Sequence, residues 1–94
     1  MDPVAEVRAF VLGIPPGEVA TYGEVGRAVG LGPRQAGRAV ARLDDDVPWW
    51  RVIYADGQPA TCHHGGARAL LESEGVPFHQ DRVDLAGLRT TKDR

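Results

Sequence analysis

The chain has 94 residues, a formal net charge of −2, and a single cysteine. It is long enough for one small domain and one modest core, and no apolar stretch approaches the roughly 20 residues of a membrane-spanning helix. One cysteine excludes an internal disulfide framework and fits a reducing compartment; with no basic-then-apolar leader in Met1–Glu6, a cytoplasmic protein is expected.

Asp2 caps a first helix and Pro3 stands at its first position, where a missing N–H costs nothing. Val4, Val7, Phe10 and Val11 give that helix one apolar face, and Gly13 stops it. Ile14-Pro15-Pro16-Gly17 is a turn, and Glu18-Val19-Ala20 a short extended link. Thr21 with Glu24 three residues on makes a capping box for a second helix. Its inward face is read as Tyr22, Val25, Ala28 and Val29, with Gly30 at its end.

A third helix is read from Pro33 to Leu43. Arg34, Arg38 and Arg42 recur every fourth residue and form a stripe; Ala36, Val40 and Leu43 lie opposite, at about 100° per residue. Gly37 costs roughly 1 kcal/mol relative to Ala inside a helix, which suggests close approach of something to the backbone. From Arg27 to Arg42 there are four arginines and no acid. The stripe therefore lacks the i±4 acids of a surface salt-bridge ladder. Helix, Gly-containing turn and basic helix make a helix-turn-helix pattern. A local basic strip on an acidic chain can still bind a polyanion, since the field near the contact matters more than the total charge.

Val47-Pro48-Trp49-Trp50-Arg51-Val52-Ile53 is the most apolar run. Adjacent residues of a strand face opposite sides, so one tryptophan is expected in the core and the other at a cleft or solvent. An indole face can stack a base. Asp56-Gly57 marks a turn, and Gln58–Gly66 a loop. Ala67–Glu74 reads as a helix with Leu70 and Leu71 inward and Gly75 just beyond it. Val76-Pro77-Phe78 is extended, Asp84–Leu88 one helical turn, and 89–94 a frayed tail. Cys62-His63-His64 and His79 lack zinc-site spacing, so no metal or cofactor is expected. Nor does adjacency to histidine make Cys62 a reactive thiol.

Five segments in order then carry a resemblance: Thr21-Tyr22-Gly23-Glu24-Val25, Pro33-Arg34-Gln35-Ala36-Gly37-Arg38-Ala39-Val40, Val47-Pro48-Trp49-Trp50-Arg51-Val52, Asp56-Gly57, and Leu70-Leu71-Glu72-Ser73-Glu74-Gly75. From about Val4 to Gly75 the chain resembles the DNA-binding domain of O6-alkylguanine-DNA alkyltransferases, in its alkyltransferase-like branch. The repair enzymes carry Pro-Cys-His-Arg-Val, whose cysteine accepts the alkyl group. Here the cysteine position is Trp49 and the activating histidine position is Trp50, so no catalytic residue and no alkyl transfer are expected. Alkyltransferase-like proteins generally keep the histidine, and Trp50 departs from that pattern. Glu74 matches the acid that orients the histidine, and Arg51 reads as structural.

The resemblance implies a mainly α, winged-helix-like domain spanning 1–94, with short strands. It implies a monomeric, non-enzymatic sensor that binds O6-alkylguanine in double-stranded DNA through the minor groove, flips the lesion and flags it for nucleotide-excision repair proteins. Tyr22 would rotate the nucleotide outward, and Arg38, or else Arg34, would fill the gap. Ala36, Gly37 and Ala39 would permit close approach, and Arg42 would add to docking. Trp49, Trp50, Tyr54, Cys62 and His63 would line the lesion pocket. The competing reading is a helix-turn-helix transcriptional regulator without lesion specificity, which needs the arginine stripe but not Trp49.

Overall fold

The structure, a computed structural model, describes residues 2–92, with the side-chain surroundings of residues 2–88. α1 spans Pro3–Leu12, and the Asp2 carboxylate accepts from the Val4 N–H at 3.0 Å. Val7 and Val11 are its buried residues. β1, Ala20–Thr21, leads into α2, Tyr22–Val29. The capping box is complete: Thr21 N–H donates to Glu24 Oε1 at 2.8 Å, and Glu24 N–H to Thr21 Oγ1 at 3.1 Å. These bonds satisfy donors that a helix start leaves open.

α2 ends on Gly30 in the left-handed region, at φ 79°. Its inward face is Tyr22, Val25 and Gly26; Ala28 is exposed, contrary to expectation, because Gly26 is where the next turn folds back. The Leu31 N–H donates to the Gly26 carbonyl at 2.7 Å. A Cβ on Gly26 would stand 2.3 Å from the Leu31 carbonyl oxygen, so only glycine lets the chain turn this tightly. α3 then runs Pro33–Ala41, two residues shorter than read, and Arg42 caps it. α1, α2 and α3 pack around Val7, Val11, Val25, Ala36 and Val40, each fully buried.

The tryptophan run is not a strand. Trp49–Arg51 is a 3-10 turn, and only Val52–Ile53 (β2) is extended, pairing in parallel with β1. With three residues per turn, neighbouring side chains diverge by about 120°, not 180°. Trp49 is accordingly buried, at 4% exposure. Half-buried Trp50 touches both the helical core and a second cluster of Ile53, Leu71, Val76 and Val83. It joins the two.

α4, Ala67–Ser73, buries Ala67 and Leu71; Leu70, read as inward, is exposed, since it sits about 100° from Leu71. Gly75 follows at φ 85°. Phe78–His79 (β3) and Arg82–Val83 (β4) form an antiparallel hairpin that the sequence reading lacked. The last helix, α5, spans Leu85–Lys92, longer than the single turn expected; it takes in 89–92 of the supposed tail, while 93 and 94 lie outside the described residues. No helix of the described residues is long and apolar enough to cross a membrane. The domain is mainly helical with short strands, as expected.

Candidate nucleic-acid interface

α3 presents two flanks to solvent, and a cleft opens beside each. Rotation of about 100° per residue puts Arg34, Gly37 and Ala41 in one row and Gln35, Arg38 and Arg42 in the next. The first row borders a cleft of about 440 Å³ whose other walls are Tyr22, Tyr54, Thr61 and Cys62. The expected stripe of three arginines therefore divides: Arg34 borders this cleft together with Tyr22, while Arg38 and Arg42 border the second cleft instead. Of the two arginines offered for the gap-filling role, the structure puts Arg34 beside Tyr22.

Tyr22 and Tyr54 form a tilted pair with centroids 4.9 Å apart. Tyr22 is 8% exposed. Burial first, then the nearby Cys62 and Tyr54, push its phenol well above the usual tyrosine range, so it stays neutral. Gly37 lies against this ring, where an added Cβ would meet Tyr22 Cδ1 at 3.8 Å. The backbone that glycine leaves open is thus approached by Tyr22 itself.

Two of the small residues expected at the contact surface lie outside this cleft, although Ala39 borders the second one. Ala36 and Ala39 are buried, 0% and 4% exposed, because their face of α3 meets α1 and α2. Trp49, Trp50 and His63 do not line the cleft either; of the expected pocket residues only Tyr54 and Cys62 do. Trp49 lies behind, its ring stacked on His63 at 4.5 Å and 9° and edge-on to Trp50 at 5.8 Å. Thr61, in the loop that the resemblance places over the flipped base, lines it too, and Pro33 and Ala41, which the sequence reading did not offer as site residues, complete the lining. Ala41 was signalled by its spacing from Arg34 and Gly37.

The Cys62–Gly66 segment turns sharply. His63, His64, Gly65 and Gly66 all have positive φ, between 58° and 88°. Two are not glycine, so the turn is strained and needs anchors. His63 supplies one: its Nε2 lies 2.6 Å from the Leu43 carbonyl oxygen, which only accepts, so Nε2 carries the proton. In the neutral ring Nδ1 then accepts from the Cys62 thiol, 3.0 Å away. Burial pushes the Cys62 thiol up, away from the thiolate form. Among the described residues no three of His, Cys, Asp and Glu converge to hold a metal ion.

Glu74 ties the tryptophan turn to the rest of the domain. Trp50 Nε1–H donates to Glu74 Oε2 at 3.1 Å, and Arg51 Nε–H to Oε1 at 3.0 Å. Arg51 also forms a second bond to the same carboxylate and donates from Nη1 to the Ile14 carbonyl at 2.8 Å. The Arg51 guanidinium holds the Glu74 carboxyl below its usual range, against partial burial and with help from the Trp50 indole. Arg51 is structural, as read. The indole N–H takes the carboxylate's hydrogen bond that the resemblance assigns to a histidine.

The family model for the 6-O-methylguanine DNA methyltransferase DNA-binding domain matches residues 3–76. Alkyltransferase-like protein 1 of Schizosaccharomyces pombe is 39% identical over 75 residues, covering 71% of this chain and 69% of its own length. A DNA base-flipping protein of Vibrio parahaemolyticus is 34% identical over 79 residues, covering 78% and 79%. Among solved structures, S. pombe Atl1 in complex with damaged DNA containing O6-carboxymethylguanine superposes with a TM-score of 0.78 at 32% identity, covering 92% of each chain. Mycobacterium tuberculosis OGT in complex with DNA gives 0.73 at 34% identity, over 80% of this chain and 49% of that one. By sequence and by fold, the chain belongs to the 6-O-methylguanine-DNA methyltransferase DNA-binding-domain family, among its alkyltransferase-like members.

Proposed function

We propose that this protein is a non-enzymatic sensor of O6-alkylguanine in duplex DNA. α3 docks in the minor groove, the alkylated base turns out into the cleft between α3 and the Tyr54–Cys62 wall, and Arg34 fills the vacated space in the stack. The observation that carries this reading is the placement of Tyr22 and Arg34 on one cleft. An aromatic that crowds the backbone and a cation that replaces the base must act on the same nucleotide. Exchanging a base for a side chain costs a few kcal/mol, least where pairing is already weakened by a lesion. The similarity to Atl1 and to a base-flipping protein supports it.

The cleft offers no acceptor for the alkyl group. Trp49 has no thiolate and is buried behind the wall, and the Cys62 thiol is held protonated. A complex that binds and does not react persists, and in this proposal it serves as the flag for nucleotide-excision repair. The test compares binding to matched duplexes with and without one O6-methylguanine, for the wild type and Arg34→Ala. The lesion duplex is expected to bind more tightly, with that preference reduced in Arg34→Ala. Equal affinity of the wild type for both duplexes would sink the sensor reading. Intact-mass measurement after incubation with methylated DNA checks the chemistry, and the gain of one methyl group would contradict it.

A further inference from the structure

The sensor reading places the lesion in the first cleft and gives the second cleft beside α3 no role. The second cleft has a volume of about 610 Å³ and lies between α3 and the start of α1, bordered by Asp2, Val4, Leu31, Gln35, Arg38 and Arg42, and Ala41 stands between it and the first cleft, bordering both. Neither Arg38 nor Arg42 enters an ion pair or a side-chain hydrogen bond among the described residues; those bonds involve Arg51, Arg68 and Arg82. The acid at the rim, Asp2, is engaged as the α1 cap. Two free guanidiniums over a concave, partly apolar floor suit a polyanion.

The position of this cleft says which part of the DNA it meets. An α-helix with its side chains is about 10–12 Å across, and the minor groove about 6 Å wide, so docking α3 there forces both backbones against its flanks. The flank with Tyr22 and Arg34 belongs to the strand that gives up its base. The opposite flank, with Arg38 and Arg42, is left for the other strand. We propose that the Arg38–Arg42 cleft seats phosphates of the strand opposite the lesion, while Arg34 serves the lesion strand. This assignment rests on the sensor reading above. It makes two adjacent rows of one helix serve different ends: one row selects the lesion, and the other holds the duplex regardless of damage.

The experiment is a cycle between protein and DNA charges. Duplexes carrying one O6-methylguanine are prepared with neutral methylphosphonates across the site on either the lesion strand or the opposite strand. Binding of the wild type and of Arg38→Gln/Arg42→Gln is measured by anisotropy over a range of salt. Both positions are exposed, and circular dichroism checks that the double variant stays folded. On the natural-backbone duplex, the double variant is expected to bind roughly tenfold more weakly, with the log–log salt slope reduced by about 1.8, and to keep its preference for the lesion. Neutralising the opposite strand should weaken the wild type and leave the double variant unaffected, whereas neutralising the lesion strand should weaken both. A double variant still sensitive to the opposite strand, or one that loses sensitivity to the lesion strand instead, would overturn the strand assignment while the sensor reading stands. A wild type without preference for the lesion duplex would overturn both.

Discussion

Gly26→Ala should lower stability although it replaces glycine inside a helix. In an open helix the change gains roughly 1 kcal/mol. At this position the new Cβ would lie 2.3 Å from the Leu31 carbonyl oxygen, 3.1 Å from its carbon and 3.2 Å from the Gly32 carbonyl oxygen. All three are backbone atoms, so no rotamer change relieves the overlap. The turn must retreat by roughly 1 Å to restore ordinary contact, which is overpacking worth about 1–3 kcal/mol. That movement also strains the Leu31 to Gly26 hydrogen bond of 2.7 Å, worth about 1 kcal/mol net. The balance is a loss of about 2 kcal/mol, or roughly 10 °C in Tm for a domain of this size. Thermal unfolding followed by circular dichroism measures it, with Gly23→Ala as control, since the nearest atom to a Cβ there is 3.8 Å away. The same turn sets the angle between α2 and α3, so Gly26→Ala should also weaken DNA binding at temperatures where it is still folded. A Gly26→Ala variant as stable as the wild type would refute the reasoning.

Gly37→Ala should behave in the opposite way. Its Cβ meets Tyr22 at ordinary contact distance, so stability rises by up to about 1 kcal/mol, while the narrowed cleft weakens lesion binding measurably in the anisotropy assay. Glu74→Gln should cost roughly 2–4 kcal/mol by denaturant titration, because it leaves the mostly buried Arg51 without its counter-charge. The Glu74 pKa is lowered in the fold, so its contribution is present above the ordinary carboxylate range and is lost as pH falls through the folded value. The stability gap between wild type and Glu74→Gln should therefore shrink below about pH 4. Trp49→Cys should not restore methyl transfer by intact mass: the new thiol would be buried, and Glu74 orients an indole that cannot take its proton.

Much of this protein is decided locally. Helix starts at Asp2-Pro3 and Thr21–Glu24, the stop at Gly30 and the exposed arginines of α3 are readable because capping and periodicity act within a few residues. The Pro48-Trp49-Trp50-Arg51-Val52 run, on which the resemblance and the expectation of no alkyl transfer rest, is likewise written in the chain. Other features depend on partners far away in sequence. The tryptophan run turns as a 3-10 segment because Trp50 and Arg51 are drawn to Glu74, more than 20 residues later, and periodicity within the run carries no trace of that bond. Leu70 and Leu71 look alike in sequence; which one is buried depends on where α4 meets the second core cluster. The arginine stripe shows the same division most clearly. Its spacing establishes a basic face, but only the packing of α3 on α1 and α2, with the Tyr54–Cys62 wall across the first cleft, separates Arg34 from Arg38 and Arg42, because a helix has no preferred flank until its neighbours supply one.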